Sequence, residues 1–328
     1  MTNRNRRQVS LGLASAFGFA ASGAGCSPPK SEALTIWGPP AGPSITLVHA
    51  IESDLLGAVG DAIQFKAWRN PHELRAGLTS GTIDLFIAPT QTAANLYNRG
   101  LGVRLVNVMT NGLLYVVSAD PSISTIADLK GKKASVPFRN DTPDIVFKRL
   151  LSLNGLSLET DLSVEFTGTP IEAVQLLTAG RIDAAVVPEP AASAAILRAG
   201  VAGKTVSRVI DIQKAWADAT DASASLPQAG LGVTEAFLTA NGPAIDALQN
   251  ALEKAVASVN ADPATAANDA AAVLSMPWPV LEKSIPFSNL VATPARDARP
   301  ALEAMFTVIA EADADAIGGN LPDTDFYL

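Results

Sequence analysis

A chain of 328 residues, 48% of them hydrophobic, is long enough to bury one large or two medium cores, and its composition excludes a disordered or collagen-like chain. The net charge of −8, from 32 acids against 24 bases, is the opposite of the basic stripe that supplies most nucleic-acid affinity, so no nucleic-acid partner is expected. The single cysteine rules out an intramolecular disulfide and any cysteine cage for a metal.

Arg4, Arg6 and Arg7 precede a nearly uncharged stretch, Val9 to Gly25, rich in Ala, Gly and Ser, and Cys26 follows directly. This is the layout of a secretory signal over residues 1–25; a membrane span needs about 20 strongly apolar residues, which the stretch lacks. Its removal takes away three arginines and no acid, moving the net charge from −8 to −11. Asn5-Arg6-Arg7-Gln8-Val9-Ser10-Leu11 resembles a twin-arginine export signal. Gly23-Ala24-Gly25-Cys26 resembles a bacterial lipoprotein cleavage site, with Gly23 where a leucine is usual. The expected mature protein is periplasmic or cell-surface, lipid-anchored through Cys26, with residues 26–32 as a proline-containing tether.

Leu34 to Trp37 reads as a first strand, Gly38-Pro39-Pro40-Ala41-Gly42-Pro43 as a rigid loop, and a helix follows from about Ser44. Ile63 to Trp68 alternates as a second strand, and Pro71 opens the helix that carries Leu74 and Leu78. Leu85 to Ala88 and Val103 to Val108 read as strands three and four, and Leu113 to Ser118 as an apolar run crossing between lobes. Ala134 to Val136 is a buried strand, and a helix over Ile145 to Leu153 opens with Thr142 as its N-cap. A strand over Ser163 to Phe166 and a helix over Pro170 to Ala179 follow, whereas residues 204–228 show no regular pattern. Gly230 to Val233 reads as a return strand, the remainder as short helices punctuated by prolines, and the end of the chain as a polar tail.

One script is written twice. Residues 78–93 and 177–192 agree at seven of sixteen aligned positions, with Leu-Thr-x-Gly-x-Ile-Asp followed by an apolar run, a proline and, last, an alanine. Each copy closes a helix on a glycine and enters a short strand stopped by proline. Ligands of open α/β sheets sit beyond the carboxyl ends of strands, which selects Thr90, Gln91, Thr92 and Glu189. The fold expected is α/β, with two lobes joined by a hinge and separated by a cleft. Lobe 1 takes residues 33–112 plus 229–328, and lobe 2 takes 113–228.

Leu129-Lys130-Gly131-Lys132-Lys133 before a buried strand, the two Gly-x-Ile-Asp corners, Pro188-Glu189-Pro190-Ala191 and the closing Leu321-Pro322-Asp323 resemble the substrate-binding proteins of ABC importers for nitrate, sulfonates and taurine, which share their fold with thiamine-pyrimidine binders. The resemblance spans about residues 33–328. It implies a type II periplasmic-binding-protein fold, a monomer delivering a small molecule to a permease and an ATPase, and no catalysis, cofactor or metal. It places the ligand among Gly38, Pro39, Pro40, Arg69, Asn70, Thr90, Gln91, Thr92, Arg139, Asn140, Asp141, Thr142 and Glu189, and Trp37 beside them is added as a candidate contact. Thr90, Thr92, Asn140 and Thr142 would offer hydroxyl or amide donors to an oxyanion. Asp141 and Glu189 depart from that pattern, because an acid repels an anion unless an arginine lies between.

Trp37, Trp68 and Phe138 flank these loops and are candidates to stack a flat heterocycle, with core burial as the competing reading of the tryptophans. Arg69 and Arg139 are candidate clamps for an anion, against the alternative of solvated surface residues. The rival function is an enzyme of the same fold acting on a small aromatic or pyrimidine metabolite. Against it, His49 and His72 stand outside any metal-ligand spacing, and nucleophile-elbow, Walker and Rossmann motifs are absent. A ligand sensor is a further alternative that sequence does not separate from transport.

Overall fold

The structure is a computed structural model that describes residues 33–60, 62–220 and 226–328. The signal segment, Cys26 and the tether lie outside the described residues. In chain order the elements are β1 (Leu34–Gly38), α1 (Gly42–Glu52), β2 (Ile63–Ala67), α2 (Pro71–Ser80), β3 (Leu85–Pro89), α3 (Thr90–Asn98) and β4 (Val103–Thr110). Then come β5 (Leu114–Ser118), β6 (Lys133–Pro137), α4 (Thr142–Leu153), β7 (Ser163–Thr167), α5 (Pro170–Thr178), β8 (Ala184–Pro188), α6 (Ala191–Val201), β9 (Ser207–Asp211) and α7 (Ile212–Thr220). The last stretch holds β10 (Ala229–Thr234), α8 (Glu235–Ala261), α9 (Pro263–Val273), α10 (Trp278–Ser284), β11 (Leu290–Pro294) and α11 (Ala295–Ala310).

These strands make two sheets, β11-β4-β10-β3-β1-β2 and β7-β6-β8-β5-β9. The repeated corner occupies the same place in both. β3 lies beside parallel β1 and antiparallel β10, and β8 beside parallel β6 and antiparallel β5. Gly81 and Gly180 carry φ of 70° and 71°, the left-handed conformation that lets each preceding helix close. The aspartate of each copy ties down a neighbouring strand end: Asp84 Oδ1 accepts from the Thr234 hydroxyl at 2.6 Å, and Asp183 Oδ2 from the Lys133 N–H at 2.8 Å. The fold is thus mixed α/β with two sheets.

Central strands β5 and β10 are buried along their whole length, and β3 and β8 at all but their last residue. Such continuous apolar runs are what strands covered on both faces require. Among the described residues no helix is long and apolar enough to cross a membrane.

Several expectations need correction. Residues 207–211 and 212–220 form β9 and α7, so the stretch read as irregular is an edge strand and a helix whose Trp216 is fully buried. Leu290–Pro294 is an edge strand pairing β4, not part of a helical remainder. Helix α8 is a single 27-residue element beginning at Glu235, not a short helix bounded by proline: Thr234 caps it through Phe237 N–H, and Gly242-Pro243 lies inside it beside a kink at Asn241. The N-cap of α4 is Asp141, whose carboxylate accepts from the Thr142 N–H at 2.9 Å. The chain end is no free polar tail: Phe326 is fully buried and Leu328 N–H donates to Leu105 O at 3.0 Å.

Gly230 marks the tightest approach in β10, since a Cβ there would stand 2.0 Å from the Asn107 carbonyl oxygen. Backbone must move to admit a side chain. Gly230→Ala is expected to cost about 1–3 kcal/mol of stability and lower the midpoint of chemical denaturation. An unchanged midpoint would show that the bulged β10–β4 pairing has slack the geometry denies.

Candidate functional site

Helix α3 starts directly where β3 ends, and α4 starts beyond β6, so the first turns of two helices from different sheets meet. Thr142 Oγ1 donates to Gln91 Oε1 at 3.0 Å, and Thr92 Oγ1 lies 3.3 Å from both Gln91 Oε1 and Asp141 Oδ1. Arg75, one turn into α2, donates from Nη2 to Asp141 Oδ2 at 3.1 Å. Thr90, Gln91, Thr92, Asp141 and Thr142 are all buried. Thr90 turns away, its hydroxyl donating to Pro227 O at 2.5 Å, and the Gln91 amide donates to Ala316 O.

The loop into α4 is held in an unusual shape. Phe138 and Asn140 have φ of 57° and 62°. A non-glycine residue in that region costs about 1–3 kcal/mol and persists only where surroundings over-determine it. Here Asn140 N–H donates to Asp144 Oδ2 at 2.7 Å, and Phe138 N–H to Thr167 O at 3.0 Å. Beside this loop, α3, α4, residues 156–159 and residues 309–316 line an open pocket of about 760 Å³ that reaches Thr92 and Asn140. That volume falls in the range of small-molecule sites.

Glu189 forms a second centre at the start of α6. It is fully buried, accepts from Arg208 Nε at 2.7 Å and from Ser193 N–H at 3.2 Å, and its own N–H donates to Leu113 O at 2.8 Å. Arg208 Nη2 also donates to Ser193 Oγ at 2.7 Å. Burial pushes the Glu189 carboxyl above its ordinary value, against the opposite pull of Arg208 and Ser193. Phe287 stacks on the guanidinium, its centroid 3.6 Å from Cζ, and the Tyr115 hydroxyl donates to Phe287 O at 2.9 Å.

Gln228 joins the two centres. Its carbonyl accepts from Thr90 N–H, its N–H donates to Thr110 O, and its side-chain oxygen accepts from Leu113 N–H, each at 3.0 Å. Both chain crossings between the sheets, at 110–114 and 226–229, are therefore bonded to one residue. Asn289 adds a bond to Gly112 O at 2.7 Å.

The remaining candidates lie elsewhere. Trp68 is buried and donates its indole N–H to Ile87 O at 3.1 Å, and Trp37 is half-buried with Lys66 Nζ 4.3 Å from its centroid. Gly38 has no room for a side chain against Ser44 and Phe65, and Pro39 O accepts from Ser44 Oγ at 2.6 Å. Asn70 caps α2 through the N–H groups of His72 and Glu73. Arg69 is exposed and donates to Glu73 at 3.2 Å, and exposed Arg139 lies over Phe166 at 5.0 Å. Arg75, Arg208, Ser193, Gln228 and Phe287 were not anticipated.

A protein-family model, ABC transporter, phosphonate, periplasmic substrate-binding protein, matches residues 45–275, more than half of the chain. The chain belongs to this family. It is a periplasmic substrate-binding component of an ABC importer. No curated protein sequence matches it. Among solved structures, an ABC transporter protein from Parabacteroides distasonis aligns with TM-score 0.73 at 22% identity, covering 90% of this chain and 98% of the other. The periplasmic aliphatic sulphonate binding protein SsuA from Escherichia coli aligns with TM-score 0.69 at 21% identity, covering 90% and 96%. The periplasmic nitrate-binding protein NrtA from Synechocystis aligns with TM-score 0.61 at 13% identity, covering 78% and 70%. At these identities the family shares a fold with those proteins.

The cap and the ion pair at Asp141 separate by mutation. Asparagine caps as well as aspartate, and Arg75 is 39% exposed, so Asp141→Asn is expected to cost at most about 1 kcal/mol. Asp141→Ala also strips the acceptor from Thr142 N–H, adding about 1 kcal/mol. Urea denaturation giving equal losses would mean that the cap contributes nothing.

Proposed function

We propose that the chain binds a small organic oxyanion, of the phosphonate or sulfonate class, between a lobe of residues 33–112 plus 229–328 and a lobe of residues 113–228. The observation that carries this is the matching of charge at the two acids. Asp141 is paired with Arg75 and Glu189 with Arg208, so neither carboxylate stands as a net negative charge toward an anion. The family description names phosphonate, and the Escherichia coli and Synechocystis structures carry the names of sulfonate and nitrate binders. The Asn140 side-chain amide, which lines the pocket, suits the same chemistry, whereas the Thr92 and Thr142 hydroxyls are engaged with Gln91 and Asp141.

On this reading the two crossings near Gln228 act as the hinge, and the ligand passes to a permease and an ATPase without chemical change. His49 supports the non-enzymatic reading: it is buried, with Nδ1 2.7 Å from Asp269 and Nε2 2.9 Å from Ser258, bonds that tie α1 to α8 and α9. Export through the residue 1–25 signal, by the twin-arginine route, and lipid attachment at Cys26 complete the proposal, with the protein working as a monomer. A flat heterocycle is less well served, because the Trp68 indole is buried and bonded.

Thermal shift of the chain from residue 27 onward tests the ligand class against methylphosphonate, ethanesulfonate, taurine, nitrate and a pyrimidine. A ligand at one hundred times its dissociation constant adds about 2.7 kcal/mol to stability. Methylphosphonate or ethanesulfonate is expected to raise the melting point. A shift with the pyrimidine alone would overturn the anion reading. For the anchor, labelled fatty acid is expected to enter the full-length protein in cells and to be absent from Cys26→Ser.

A further inference from the structure

Arg208 sits on a strand outside the predicted ligand loops, yet every part of its side chain has an assigned use but one. Its Nε and Nη2 edge is taken by Glu189 and Ser193. One face is covered by the Phe287 ring at 3.6 Å, and the Tyr115 centroid stands 5.4 Å from Cζ. Among the described residues, Nη1 has no hydrogen-bond partner, and the side chain keeps 15% of its surface exposed. A guanidinium carries five N–H donors in a planar fork; with Nε and Nη2 held on Glu189 and Ser193 and one face covered, the N–H groups of Nη1 are left oriented and unfilled.

The holding groups are expensive if structure is their only purpose. A buried Arg–Glu pair is often no more stable than hydrophobic residues of similar volume, because desolvation offsets the attraction. Here the carboxylate is fully buried and the guanidinium nearly so. What the pair does supply is orientation. The contact with Phe287 also reaches from β9 in the second sheet to the segment preceding β11 in the first. The guanidinium thus stands where the two crossings and the start of α6 converge.

We propose that Arg208 is the specificity-determining residue for the ligand's anionic head, receiving an oxygen of a phosphonate or sulfonate on Nη1, with Glu189 and Phe287 as its positioning residues. This rests on the oxyanion reading given above. It assigns Glu189 the role of holding a cation.

Calorimetric titration of the chain from residue 27 with methylphosphonate and ethanesulfonate decides the matter. Arg208→Lys keeps a cation beside Glu189 but loses the fork, so anion affinity is expected to fall about tenfold or more while the unliganded melting point holds within a few degrees. Glu189→Gln leaves an acceptor for Arg208 and removes a negative charge, so anion affinity is expected to stay or rise. Should Arg208→Lys fail to fold, the uncharged pair Arg208→Met with Glu189→Gln replaces it, with folding read from its melting curve and binding expected to vanish. Wild-type binding of either anion with Arg208→Lys, or the uncharged pair, within about twofold overturns the assignment and leaves the proposed function standing. A wild type that binds neither anion overturns both.

Discussion

The architecture turns on the way each sheet borrows a strand from beyond a chain crossing. β5, reached after the first crossing, pairs antiparallel with β8, and β10, reached after the second, pairs antiparallel with β3. Parallel strands alone would let each βαβ unit close without involving the crossings. With an antiparallel neighbour, the carboxyl end of β3 lies beside the entry to β10, and the carboxyl end of β8 beside the entry to β5. Both helix starts, at Thr90 and at Glu189, are therefore brought to the crossings. Gln228 is able to bond to Thr90, Thr110 and Leu113 at once because of that pairing. The repeated Leu-Thr-x-Gly-x-Ile-Asp corner is then more than a shared grammar. Its glycine ends the helix, its aspartate pins a strand end, and its proline closes the strand at the place where the other half arrives.

Burial of charge is the second constraint on this region. Glu189 is buried within a few residues of Leu113, Tyr115 and the apolar wall of α6, where an unpaired carboxylate would cost several kcal/mol in desolvation. Arg208 and Ser193 reduce that cost without removing it, which agrees with a carboxyl whose affinity for its proton remains raised. Asp141 is in a milder position. Its partner Arg75 is well hydrated, so the ion pair contributes little, and the N–H of Thr142 and the hydroxyl of Thr92 share in holding it. Charge at the two centres is thus matched by different means.

How far sequence reveals such a molecule depends on where its signals are stored. The apolar runs of β3, β5 and β8 are local and strong, and the prolines and glycines that bound them are stereochemical signals, so the corners and the crossing into β5 were legible. β9 was not: as an edge strand it buries only Ile210 fully and carries Ser, Arg and Asp in five residues, which weakens any apolar pattern. β11 was hidden by the prolines around it, since a Pro-punctuated stretch reads as broken helix whether or not a strand lies inside. The site divides along the same line. Thr90 to Thr92 and Asn140 to Thr142 lie at helix starts that local rules identify. Arg75 reaches an acid 66 positions away and Arg208 one 19 away across a sheet, and neither partnership leaves a periodic trace. The tryptophans mislead for the opposite reason: a rare aromatic beside a loop looks functional, while Trp68 satisfies both its bulk and its N–H inside the core.

A chemical asymmetry between the helix starts follows from these residues. In the second sheet's half, α4 is capped by Asp141, and the first turn of α6 donates from Ser193 to Glu189. One of the free N–H groups that make a helix start attractive to an anion is met at each of these starts by the protein's own carboxylate. In the first sheet's half, α1 and α3 follow Ala41 and Pro89, residues with no side-chain acceptor, and neither has a side-chain cap. A side-chain donor, unlike a backbone one, must be aimed by its neighbours to serve. Glu189 occupies one N–H of a helix start and, with the same carboxylate, aims the arginine beside it.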